Sequence, residues 1–407
     1  MGKLAVRGGT PVRQKPFPSW PVWGQEEIDN LVAVVKSGKW GRLKGDRVAE
    51  FEEKFAAFQE AKYGIAVNSG TTALHLALLA VGIRPGDVVL VPAYTFIATA
   101  TAVLEAGGVP KFVDIDPETY NIDVDALEQA ITSDVRGIMP VHFAGRPADM
   151  DKIMQIAEKH DLFVVEDAAQ AWGAEWNGRR VGAIGGAGGF SFQSSKNINA
   201  GEGGIILTND DIVAKFARSH HNCGRSEDGE WYEHFYYGGN FRMTEFQGAV
   251  LLAQFSRYEE QLRRRQENAT YLTAKLKEID GIEPLREDSK VTSHAEHLYI
   301  FRYKKEAFGG KSKAAFLEAL RAEGIPASAG YSLPLYKQPV FENKTFGGRG
   351  QVIDVPVDYK AFHLPETERA CYEEAIWLTQ NVLLGTRGDM DDIVRALEKV
   401  RENAEEI

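Results

Sequence analysis

Between Tyr63 and Asp210 the chain alternates short apolar runs with amphipathic stretches, a rhythm that few architectures satisfy. IAVNS, VVLVP, KFVDID, GIMPVHF, LFVVED, FSFQS and GIILTN are seven strand candidates. Most are apolar on both faces, as strands are when helices cover both sides of a parallel sheet. DVDALEQAI and DMDKIMQIAEKH have helical spacing and fall between them. The pattern predicts a doubly wound α/β domain whose ligands gather beyond the carboxyl ends of the strands. One link departs from it. About ten residues separate FSFQS from GIILTN, whereas a parallel crossover needs roughly a dozen or more, so this pair is expected to be antiparallel.

The remainder of the chain reads differently. Thr244 to Ile279 forms a long helical stretch, opened by Thr244 with Gln247 as a capping box, and is expected to bridge two domains. Beyond Gly281, HLYIFRY reads as a strand, KSKAAFLEALRAEGI and ETERACYEEAIWLTQ as helices, VLLG as a strand and MDDIVRALEKVREN as a helix. LPLYKQPVF, with Pro334 and Pro339, is expected to be a substrate-side loop. The predicted organisation is a large α/β domain with an N-terminal arm over residues 1–265 and a small α+β domain over 266–407.

Lys196 lies in FSFQSSKNINAGEGG, on the short link between the two strands expected to be antiparallel, and Asp167 closes LFVVED at the same sheet edge. A loop lysine is by default a solvated one. Here the glycines and serines around it allow close backbone approach, and a carboxylate waits at a buried strand end. That is what a Schiff base to pyridoxal 5'-phosphate (PLP) requires: a partly desolvated amine as nucleophile, and an anion beside the pyridine nitrogen. The third element is NSGTTALHLALLAVG, a strand end followed by a helix that Gly82 terminates. Ser69, Gly70 and Thr71 fall at the helix N-terminus, where free N–H groups suit a phosphate, although Ser-Gly-Thr is also an ordinary capping sequence. Ser191 is a second candidate phosphate donor.

SGTTALHLAL, VPAYTFIATATAV, VDIDPETYNID, VEDAAQAWGA, FSFQSSKN-INAGEGG and GGNFRMTEFQGA, in that order, resemble the DegT/DnrJ/StrS family of PLP-dependent sugar aminotransferases, from about Leu4 to the C-terminus. The resemblance implies fold type I of the PLP transferases, with a mostly parallel seven-stranded sheet. It implies that Lys196 and Asp167 are catalytic, that Gln170 sits by the ring hydroxyl, and that Gly70, Thr71 and Ser191 hold the phosphate. Phe96 would stack on the ring, with Tyr94 the alternative partner. Asn240, in GGNFRM, would reach the phosphate of a neighbouring subunit, so that a homodimer shares its sites; on the residues alone, Asn240 follows two glycines and suits a turn. His142 and His75 read as core histidines. Arg42, Arg225 and Arg242 are possible partners for carboxylate or phosphate.

The expected activity is transfer of an amino group from glutamate or glutamine to a keto-sugar or keto-cyclitol. The alternatives are the related branch typified by 3-amino-5-hydroxybenzoate synthase and a non-catalytic regulatory member. In the family's dehydratases the lysine position is histidine, which Lys196 excludes. A net charge of −11 disfavours nucleic acid and anionic membrane surfaces. No segment approaches the roughly 20 apolar residues of a membrane span. Two cysteines, Cys223 and Cys371, build no disulfide framework, so the cytoplasm is the expected compartment. HHNC, His220 to Cys223, lacks zinc spacing, and no metal is expected. The glycine run Gly182 to Gly189 fails the dinucleotide fingerprint and leads into a strand, so close backbone packing is expected there.

Overall fold

The computed structural model describes residues 2–226 and 228–407. The strands of the main sheet are β1 (Tyr63–Val67), β2 (Val88–Pro92), β3 (Val109–Val113), β4 (Val135–Ile138), β5 (Phe163–Asp167), β6 (Ala187–Ser191) and β7 (Gly204–Thr208). Their order across the sheet is β1-β7-β6-β5-β4-β2-β3. β7 pairs antiparallel with both β1 and β6, while the other neighbours are parallel. Every residue of β2, β6 and β7 is buried. Each Val, Leu or Ile so covered contributes roughly 1.5–3 kcal/mol relative to exposure, which selects the both-faces-apolar strands.

The short link between β6 and β7 cannot carry a crossover, so it folds back as a hairpin. Ser191 pairs with Gly204, and the ladder continues through Phe192 N–H to Gly203 O at 2.8 Å and Ser194 N–H to Gly201 O at 2.9 Å. In the parallel pair β5/β6, Asp167 sits opposite Gly189. The carboxyl ends of β1, β2, β5 and β6 therefore share one sheet edge with the hairpin turn.

Gly182 to Gly189 is tightly packed backbone, as expected. A Cβ on Gly189 would meet Leu74 Cδ2 at 2.8 Å, and the N–H groups of Gly182, Ile184 and Gly185 all donate to Glu166.

A second sheet consists of β8 (Ile282–Pro284), β9 (Leu298–Tyr303) and β10 (Ala375–Thr379), in that order and antiparallel. Here the sequence expectation fails. ETERACYEEAIWLTQ is not one helix: a helical turn over Pro365–Arg369 and a wide turn over Ala370–Glu374 lead directly into β10, and VLLG is a 3-10 turn, Val382–Leu384. β9 needs a partner along its second edge, and AIWLT, with Ala375, Ile376 and Leu378 buried, supplies it. The long helical stretch is likewise two helices, Glu245–Ser256 and Tyr258–Leu276. They divide at Arg257, whose guanidinium is pulled onto Glu27. Thr244 and Gln247 do form the capping box.

The core has one large cluster around the main sheet and a second built from Leu272, Phe301, Phe316, Ile376 and Ile393 among others. The N-terminal arm, which chain order groups with residues 1–265, inserts Leu4 into that second cluster, and Arg13 pairs there with Asp389 and Asp392 at 2.8 and 2.7 Å. LPLYKQPVF is no open loop. Leu335, Tyr336 and Phe341 are buried in the large cluster, with Phe341 edge-on to Phe112 of β3.

Candidate active site

A cavity of about 620 Å³ opens at the carboxyl edge of the main sheet. Ser69, Gly70 and Thr71 enter it from the start of the helix Gly70–Ala80, where Ser69 Oγ caps Thr72 N–H at 3.1 Å. Gly70 approaches β6 so closely that a Cβ would lie 2.6 Å from the Ser191 Cβ. The helix N-terminus and Ser191 thus form one cradle, fitted to an anion by free N–H groups and the helix dipole.

Asp167, at the end of β5, is 5% exposed. Its Oδ2 accepts a hydrogen bond from Thr99 Oγ1 at 2.7 Å and its Oδ1 one from Ala169 N–H at 3.1 Å. Burial raises its pKa, against the opposing pull of Thr99, Ala169, Lys196 and His142. Such a carboxylate is poised for a cationic partner. Lys196, on the hairpin turn, lines the same cavity; burial lowers its amine to about 8, while Asp167 opposes the shift. Gln170, 6% exposed, accepts from Ala144 N–H at 2.8 Å through Oε1, and it too lines the cavity. Phe96 is 58% exposed at the cavity wall.

Gly70, Thr71, Phe96, Asp167, Gln170, Ser191 and Lys196 are therefore neighbours in space. Asn240 is not among them. It is exposed and bridged by backbone to Asn222. Tyr94 is buried against Tyr120 and Phe143. The three arginines have local partners: Arg42 binds Glu52 and Arg242 binds Asn222, while Arg225 stacks over Trp231. His142 is a core group. Its Nδ1 accepts from Ala148 N–H at 3.1 Å, which puts the proton on Nε2, and this donates to the buried Glu166 at 2.9 Å.

Sequence reasoning missed Thr99, although it lies within the quoted stretch VPAYTFIATATAV, and the far wall of the cavity: His297, Ser328, Tyr331, Trp377 and Gln380. Trp377 and Gln380 lie in or next to β10, in the segment whose helical reading failed.

The residues present suit PLP. The Gly70–Ser191 cradle, the half-buried amine and the buried carboxylate correspond in chemistry to its phosphate, aldehyde and pyridine nitrogen. The pattern of the DegT/DnrJ/EryC1/StrS aminotransferase family matches residues 21–398. This chain belongs to that family. It is a PLP-dependent aminotransferase.

Among similar proteins, the L-glutamine:2-deoxy-scyllo-inosose aminotransferase of Streptoalloteichus tenebrarius is 36% identical, covering 98% of this chain and 97% of that one. A pleiotropic regulatory protein of Geobacillus stearothermophilus is 39% identical over 84% of this chain and 86% of its own. Among solved structures, 3-amino-5-hydroxybenzoic acid synthase superposes with a TM-score of 0.86 at 35% identity, covering 95% of this chain and 99% of that one. No helix among the described residues is long and apolar enough to cross a membrane.

Proposed function

We propose that this enzyme transfers the amino group of glutamine, or of glutamate, to the carbonyl of a cyclitol or sugar ketone, in the biosynthesis of an aminocyclitol or amino sugar. The observation that carries the reading is the meeting of Lys196 and Asp167 in one cavity beside an anion cradle. The names of relatives favour glutamine as donor and a cyclitol ketone as acceptor.

Gly70, Thr71 and Ser191 would hold the cofactor phosphate, Phe96 would cover the ring, Gln170 would face its hydroxyl and Asp167 its nitrogen. When bound, PLP supplies a reactive aldehyde carbon and a protonated ring that accepts the electron pair of the cleaved C–H bond. Lys196 Nζ, with a pKa near 8, is neutral in a useful fraction at physiological pH. It can take a proton from a carbon placed beside it and return it nearby. Asp167 holds negative charge deep in the site, and Thr99 orients it.

A homodimer in the cytoplasm, with Asn240 reaching across to the other subunit's phosphate cradle, completes the proposal. The exposure of Asn240 and of Trp231, Tyr232 and Tyr237 on the same segment supports it.

The test is a pair of half-reactions followed by absorbance. Glutamine or glutamate should convert the yellow enzyme to its amine-loaded form, and cyclitol or sugar ketones should then discharge it. A preparation that stays colourless with added PLP would instead favour a regulatory role. Discharge only by an unsaturated ring ketone on the way to an aromatic amine would favour the aminohydroxybenzoate branch. Lys196→Ala should fold and be inactive.

A further inference from the structure

A second cavity, of about 380 Å³, lies behind the catalytic one, and Leu298 lines both. Arg146 enters this second cavity with only 7% of the residue exposed, and its guanidinium makes no hydrogen bond or ion pair among the described residues. A buried guanidinium without an anion is costly, which is why such groups normally carry a bidentate partner. The charges acting on it, Asp288, Arg286, Asp116 and Glu296, act only at a distance.

Glu296 lines the same cavity from a non-glycine residue held at φ 51°, a left-handed conformation that commonly marks a functional constraint. Among the described residues its carboxyl meets only His294, Oε1 to Nδ1 at 3.3 Å. That nitrogen accepts the Glu296 N–H at 2.9 Å, so it carries no proton and offers the acid no cation. Burial pushes Glu296 up to about 8 and His294 down to about 3, with Arg146 and Arg265 opposing the shift on Glu296; a cation bound against the carboxyl would draw it back to its anionic form.

We propose that this cavity is a second ligand site, taking a small α-amino acid zwitterion with its carboxylate on Arg146 and its ammonium on Glu296. A lone anion would bind Arg146 but face Glu287 and Asp288 and leave Glu296 without a cation, and a lone cation would face Arg146. A zwitterion satisfies both poles. The volume is within the range of small-molecule sites. The segment carrying Arg146 also touches the catalytic cavity, since Ala144 donates its N–H to Gln170 Oε1 and accepts that of His297 at 2.9 Å. The inference rests on this second cavity and not on the proposed reaction.

The test uses holoenzyme reduced with borohydride, so that an added amine has no chemistry at the cofactor. Binding of radiolabelled L-glutamine, L-glutamate and L-alanine is measured by equilibrium dialysis for the wild type, Arg146→Met and Glu296→Gln. The expected result is a saturable component, weakened more than tenfold in each variant and not displaced by propionate or ethylamine. Preference for glutamine over alanine would identify the amino donor as the ligand; equal binding would identify amino acids in general, and either supports the site. No such component in the wild type, or one unchanged in the variants, overturns it. Should Arg146→Met fail to fold, the near-isosteric Glu296→Gln decides alone.

Discussion

Thr99 Oγ1 donates a 2.7 Å hydrogen bond to Asp167 Oδ2, joining the helix after β2 to the end of β5 beneath the catalytic cavity. Of the groups that offset the burial of Asp167, Thr99 is the strongest. Hydrogen bonds to charged groups contribute about 1.5–3 kcal/mol. Thr99→Val should therefore raise the Asp167 pKa further and weaken PLP binding by roughly tenfold or more. Thr99→Ser should recover most of the loss. Titration of cofactor-free protein with PLP, followed by absorbance, checks both.

Gly70→Ala is the corresponding test of the phosphate cradle. The added methyl would lie 2.6 Å from the Ser191 Cβ, so the helix start and β6 must separate. Overpacking of this kind costs about 1–3 kcal/mol of stability. The loss of PLP affinity should exceed that cost, because both walls of the cradle move at once. Comparing the Kd for PLP with the unfolding free energy of the cofactor-free variant separates the two effects.

Lys196 predicts a pH dependence. Its folded pKa, about 8, lies below the ordinary lysine value of 10.5, so between these limits the unfolded chain binds more protons than the folded one. Stability then rises with pH. The penalty of burying the amine is fully present below about pH 8 and is gone above the unfolded pKa. In urea unfolding of cofactor-free protein across this window, the stability of the wild type minus that of Lys196→Met should rise with pH; the subtraction removes the contributions of Lys313, lowered to about 8, and of Cys371, raised to about 12.

The main sheet was legible because most of its strands are apolar on both faces, and the length of one link was enough to reverse β7. Asp167 and Lys196 could be placed at one edge for the same reason: strand ends and a hairpin turn are local features. β10 was not legible. AIWLTQ continues the apolar spacing of the residues before it, and only the unpaired edge of β9, far away in the chain, turns it into a strand. The far wall of the cavity was lost with it, since Trp377 belongs to that strand and Tyr331 reaches the site by packing edge-on to Trp377. The break at Arg257 was not legible either: at that residue the guanidinium binds Glu27 of the helix Gln25–Ser37, 230 residues away in the chain.

The central claim is that the amine of Lys196 is the group that carries the cofactor. Borohydride reduction of holoenzyme, proteolysis and mass spectrometry of the peptides test it directly. The account predicts one pyridoxyl-phosphate adduct per chain, on Lys196, and none in Lys196→Ala. An adduct on another lysine, or an unlabelled Lys196 in a protein that retains full activity, would contradict it.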